Sequence, residues 1–168
     1  MIELGINWKG IRVILMLEEN QEIYMGSLKA LDIDHNRVKR AYIKLGIKNL
    51  NTRATKFLFA ILFHELGHLD FFREIIEKYG VEVYDAVRSK VTGFFYDRKA
   101  RQQIEVDASL RAIKFLERAG LLDRETFTFL CLALATYFTT SDREKMKLFK
   151  ILSVFPFKSH QIIGDKYE

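Results

Sequence analysis

Two histidines and a glutamate, His64, Glu65 and His68, sit within the apolar stretch FLFAILFHELGHLDFF, Phe57–Phe72. Imidazole and carboxylate groups are costly in such surroundings unless they are paired or bound to a metal ion. Their spacing fits the second case. On a helix, His64 and His68 lie one turn apart on one face, where both ring nitrogens can reach the same ion, with Glu65 beside it. The chemistry of H-E-x-x-H follows. A zinc ion brings the pKa of water to about 7. Glu65 then takes the proton and passes it to a leaving amine. One Zn2+ ion is the expected cofactor. Gly67 is unfavourable inside a helix, and makes sense if another element packs closely against it.

A catalytic zinc needs a third protein ligand and one open position. Of the remaining histidines, His35 lies upstream in DIDHN and His160 near the C-terminus, and both read as surface residues. The better candidate is Glu105, in RQQIEVDASLRAIKFLERAGLL. It shares one helix face with Ala108 and Ala112. A carboxylate on a face of small residues suits a helix packed tightly against the HELGH helix, with Glu105 aimed at the metal. The alternative is a surface glutamate beside Arg101 or Arg111.

These residues must be carried by a particular set of elements. Ile11–Leu17 (IRVILML) and Glu22–Leu28 (EIYMGSL) pair as a small β-hairpin. From Asp34 onward the spacing predicts helix. HNRVKRAYIKLG places Val38, Ala41, Tyr42 and Leu45 at helical intervals, with Gly46 as a stop. Asn51 or Thr52 caps the HELGH helix, which runs to Tyr79 before Gly80. A helix over VEVYDAVRSKV ends near Gly93, and another spans Asp97–Ala119 before Gly120. Asp123 caps a fifth helix, LLDRETFTFLCLALATYF, and Ser141 or Asp142 a sixth, ahead of Pro156. The expected fold is mainly α with a small N-terminal β element, an α+β zincin-like domain. Residues 1–30 hold the β element, 51–155 the helical catalytic core and 157–168 a tail.

Composition bounds the rest. A chain of 168 residues suits a single core; 49% apolar and 29% charged residues are ordinary for a globular protein. The net charge of +5 reads as a basic solvated surface, because lysine and arginine are interspersed with acids. Cys131 is the single cysteine, so neither an intrachain disulfide nor a thiolate metal site is available. It reads as a small buried hydrophobe. No signal peptide is visible. The longest uncharged run, Thr126–Ser141, is 16 residues, short of the roughly 20 a spanning helix needs. A cytoplasmic setting is expected, with peripheral membrane contact compatible and no preferred oligomeric state.

HELGH, then IEVDASLRAIKFLERAGLL and LALATYF, resembles the YugP-like neutral zinc metallopeptidases. Members carry H-E-x-G-H, a segment E-x-D-A-S-x-R-A, and a leucine-rich helix with a Thr-Tyr pair. Here these fall on His64–His68, Glu105–Ala112 and Thr136–Tyr137, all within residues 57–140. The resemblance implies a gluzincin-type site with His64, His68 and Glu105 as ligands and Glu65 as general base. Family members usually have membrane-spanning segments, whereas no stretch here is long enough. Where zincins often place an aspartate four residues after the glutamate ligand, this chain has Ser109, which can orient a ligand by hydrogen bonding.

Oxyanion stabilisation in such a site falls to Tyr137, Tyr96, Arg111 or His160, with Tyr137 matched by the family pattern. Asp70 and Asp107 are candidate partners of the histidines. The strand IRVILML is placed to bind substrate backbone by strand addition. The expected activity is metallopeptidase action on a peptide or protein substrate. Two other classes compete: a non-catalytic zinc-binding or pseudo-protease interaction module, and a basic nucleic-acid-binding regulator using a helix over Arg37–Lys44. No specific nucleic-acid motif supports the latter.

Overall fold

The computed structural model describes residues 1–19, 26–47 and 52–138. The sixth helix, its caps Ser141 and Asp142, Pro156, His160 and Asn51 lie outside the described residues. The fold class is the expected mixture of α and β, with more β structure than expected. Four strands, β1 (Ile2–Trp8), β2 (Ile11–Glu19), β3 (Gly26–Asp34) and β4 (Arg37–Ile47), form one sheet in the order β1-β2-β4-β3. Among the described residues four helices follow: α1 (Thr52–Tyr79), α2 (Val81–Thr92), α3 (Arg98–Arg118) and α4 (Arg124–Ala135).

The sheet is built from two hairpins joined side by side. β1 pairs antiparallel with β2, and β3 with β4, while β2 and β4 run parallel at the centre. Both hairpins turn on two residues at positive φ: Lys9 (50°) with Gly10 (84°), and His35 (49°) with Asn36 (58°). Positive φ at both positions gives a turn whose twist matches that of the strands. The expected pairing of Ile11–Leu17 with Glu22–Leu28 is corrected where it can be seen: Gly26–Leu28 pair with β4, and Glu22–Met25 lie outside the described residues. β2 lies between β1 and β4, so it is an interior strand and cannot add a substrate strand. Among the described residues, the free edges are β1 and β3.

The helix expected over His35–Gly46 is also corrected, and the difference has a physical cause. Ile33 pairs with Val38 but Asp32 pairs with Arg40, which leaves Lys39 as an extra residue on β4. This bulge puts Val38 and Ala41 on the same face at a spacing of three, imitating a helix. Beyond it, Ala41, Ile43 and Leu45 alternate as a strand should, and all are buried. The basic run Arg37–Lys44 thus belongs to a strand, with Arg40 paired to Asp32 and Lys44 to Glu18.

α1 explains its own greasiness. One side packs on the sheet, where Ile61, Leu66, Leu69, Phe72 and Ile76 meet Val13, Leu15, Ile43 and Leu45. On its other side Ala60 meets Ala112 and Leu116 of α3, and Leu130 and Leu134 of α4. A helix covered on both sides must be apolar nearly all round. The helix bounds expected from caps hold closely. Asp97 accepts from the amides of Lys99 and Ala100 to start α3, and Asp123 and Thr126 form a reciprocal capping box on α4.

Candidate metal centre

α1 and α3 carry the site. Their crossing is close because Gly67 of α1 faces the backbone of Ala108, and Ala108 and Ala112 are fully buried. That contact brings Glu105, 1% exposed, up to the histidine face of α1. Its Oε2 lies 3.0 Å from His64 Nε2 and 3.4 Å from His68 Nε2. The two imidazoles meet edge to face with ring centroids 4.7 Å apart. His64, His68 and Glu105 form a group that could hold a metal ion, with one potential ligand atom from each, all within 4.8 Å of one another.

The surroundings hold these donors in place. Glu105 Oε1 is 2.7 Å from Arg101 Nε, one turn earlier on α3. Ser109 Oγ, on the fourth residue after Glu105, lies 3.3 Å from His64 Nδ1, within hydrogen-bond reach of that ring. Burial alone would raise the pKa of Glu105; the hydrogen bonds and charge of His64 and His68 outweigh it and hold the carboxyl far below the ordinary range. His68 Nδ1 is buried with no hydrogen-bond partner among the described residues.

Glu65 is not one of the three. The residue is 6% exposed, and its carboxylate accepts the backbone N–H of Leu28 on β3 at 2.8 Å. Gly26 makes this approach possible, since a Cβ there would lie 2.4 Å from Ile61 Cγ2 and 2.8 Å from Glu65 Oε1. Two cavities meet at Glu65. One, of about 120 Å³, is lined by β3, His68, Tyr84, Arg88, Arg101 and Glu105. The other, of about 390 Å³, lies against Ile61, Phe129, Leu130, Leu134 and Tyr137. Gly26, His64, Glu65 and Tyr137 line both.

Of the residues considered for oxyanion stabilisation, Tyr137 is at the site. Arg101 lies over its ring at 5.3 Å. Burial, and then the negative charge of Glu105, raise its pKa. Tyr96 is exposed in the α2–α3 connection and lines neither cavity. Arg111 is bound to Glu74 and Asp107 instead. Asp107 therefore serves Arg111 and not a histidine. Asp70 is likewise corrected: it accepts from Trp8 Nε1 at 3.1 Å and pairs with Lys9. His35 is an exposed turn residue beside Asp34. The amide of Leu28 and Arg88 were not foreseen from the sequence. Leu28 N–H acts through the backbone, which leaves no residue-type signal. Arg88 is brought in by the packing of α2. Arg101 was foreseen only as a surface neighbour of Glu105, although its i, i+4 spacing marks it as a partner.

No family model, curated protein or solved structure matches the chain. Among the described residues, no helix is long and apolar enough to cross a membrane.

Proposed function

We propose that the protein is a zinc-dependent metallopeptidase in which His64, His68 and Glu105 hold the ion and Glu65 is the general base. The observation that carries this reading is the division of labour among four side chains. Three converge on one point, while the glutamate of the motif stays outside them, beside the cavities. Holding the metal does not require that carboxylate, whereas activating water does. Two imidazoles and one carboxylate are the donor set of a hydrolytic zinc. The three donor atoms lie within 4.8 Å of one another, so His64, His68 and Glu105 would hold one ion between them.

When bound, zinc acts as a Lewis acid that acidifies water and polarises a peptide carbonyl. The remaining work belongs to the chain. Glu65 accepts the proton of the attacking water and donates it to the leaving amine. Tyr137, with Arg101 on its ring, borders the space where negative charge develops on the carbonyl oxygen. An extended peptide would lie along β3, an edge of the sheet among the described residues, where it would take over the Leu28 N–H now held by Glu65. The segments that resemble the YugP-like metallopeptidases supply His64, Glu65, His68, Glu105 and Tyr137.

The test is metal content together with peptide hydrolysis. Wild-type protein is expected to bind zinc in a one-to-one ratio and to cleave an unstructured protein substrate. His64→Ala and Glu105→Ala lose the metal. Glu65→Gln keeps it while activity falls at least about 100-fold. Hydrolysis by Glu65→Gln at the wild-type rate would overturn the assignment. The Leu28–Glu65 hydrogen bond favours a second reading, a zinc-binding module without turnover, because the carboxylate that would take the water proton is already occupied by a backbone N–H. Bound zinc with no cleavage of any peptide is the result that reading requires.

A further inference from the structure

The two cavities that meet at Glu65 differ in chemistry. The one against α4 is walled by Ile61, Phe129, Leu130 and Leu134. The other carries two guanidiniums, Arg88 and Arg101. The charged groups of that second cavity are engaged, with one exception. Glu65 accepts from Leu28, Glu105 lies between the histidines, and Arg101 is paired with Glu105. Arg88 donates to two neutral oxygens, Tyr84 Oη at 2.7 Å and the Lys29 carbonyl at 2.9 Å, and pairs with no carboxylate among the described residues.

We propose that Arg88 forms a carboxylate subsite, reading an acidic side chain or the free C-terminus of the peptide bound beside Glu65. This rests on the peptidase reading and adds a substrate class to it. A guanidinium has five N–H donors, so the two bonds above leave three. Those two bonds also fix its position. Its carbon lies 5.9 Å from the centroid of the Tyr84 ring, itself buried. A planar fork held in advance suits bidentate binding of a carboxylate, and little side-chain entropy is lost when the ligand arrives.

Position along the sheet supports the same assignment. Leu28 pairs with Ile43 and Ala30 with Tyr42, which leaves Lys29 as a bulged residue on β3. Arg88 binds the carbonyl of that bulge. The guanidinium therefore stands where ordinary pairing of the edge strand is interrupted, one residue beyond the Leu28 amide that meets Glu65.

The test uses the whole chain with added zinc and peptides made in pairs. One set exchanges Glu for Gln at each position in turn, and the other exchanges a free C-terminus for an amide. Wild type is expected to show a kcat/KM about 10- to 100-fold higher for the carboxylate member of one pair. The pair that carries the preference tells whether the group is a side chain or the terminus. In Arg88→Gln the ratio falls to about 1, and Arg88→Lys, which keeps the charge but not the fork, lies between. A purely structural role for Arg88 would lower all rates together and leave the ratio in place. Equal rates for every pair in wild type, or an unchanged ratio in Arg88→Gln, overturns the proposal. Calorimetric binding of the same pairs to Glu65→Gln separates the two readings. A preference in binding that depends on Arg88, with no turnover in wild type, supports the subsite and removes the peptidase. Turnover without any carboxylate preference does the reverse.

Discussion

Gly67 of α1 and Ala108 of α3 meet backbone to backbone: a Cβ on Gly67 would lie 2.6 Å from the Ala108 carbonyl oxygen and 3.0 Å from its Cα. The neighbour is main chain and cannot swing aside. Gly67→Ala gains helix propensity of up to about 1 kcal/mol. Overpacking costs about 1–3 kcal/mol, so the net effect is destabilising. Because the same contact sets how near Glu105 comes to His64 and His68, zinc affinity falls as well. Urea unfolding and zinc titration check both effects; an alanine variant as stable as wild type would show that the helices can part freely.

Asp70 ties the β1–β2 turn to the HELGH helix through Trp8 Nε1 and Lys9. Its side chain is only 2% exposed, whereas that of Lys9 is 42% exposed and partly screened by solvent. Asp70→Ala leaves the indole N–H without its partner and is expected to cost about 1–3 kcal/mol. Trp8 is the sole tryptophan, so its fluorescence reports the loss directly, with a shifted native emission and a lower unfolding midpoint. A native emission spectrum identical to wild type would mean that the bond does not hold the indole.

Asp123 caps α4 and pairs with Lys56 at 2.6 Å. Burial opposes its ionisation, but the Lys56 and Thr126 hydrogen bonds prevail and bring its pKa below the ordinary 3.8. A carboxyl depressed on folding stabilises the native state above its unfolded pKa. That contribution is lost as pH falls from about 3.8 through the lower folded value. Asp123→Ala should cost about 1 kcal/mol at pH 7. The difference from wild type should shrink in melts below pH 3.8; a gap constant with pH contradicts the assignment.

Cys131 is 2% exposed, and burial pushes its thiol up to about 12. Only the thiolate reacts. The native protein should therefore resist a disulfide reagent at pH 8 over hours, and one thiol should react promptly in denaturant. Rapid reaction of the native protein would indicate that the packing between α1 and α4 opens readily.

Local sequence dictates the helices and most of the site. Helix formation is a short-range matter: Asp97 and Asp123 mark their helix starts through bonds to residues two or three positions on, and Gly80 and Gly120 mark ends. His64 and His68 share a face through helical periodicity alone. Gly67 on one helix and Ala108 and Ala112 on the other announce their close crossing. The sheet was settled by long-range pairing instead. The bulge at Lys39 disguised β4 as a helix, and the parallel pairing of β2 with β4 joins residues far apart in the chain. Packing also chose which strand borders Glu65, turned Asp70 toward Trp8, and brought Arg88 into the cavity. Periodicity records which face of an element is buried; it holds no record of the element that buries it, because that choice is made by contact between distant segments.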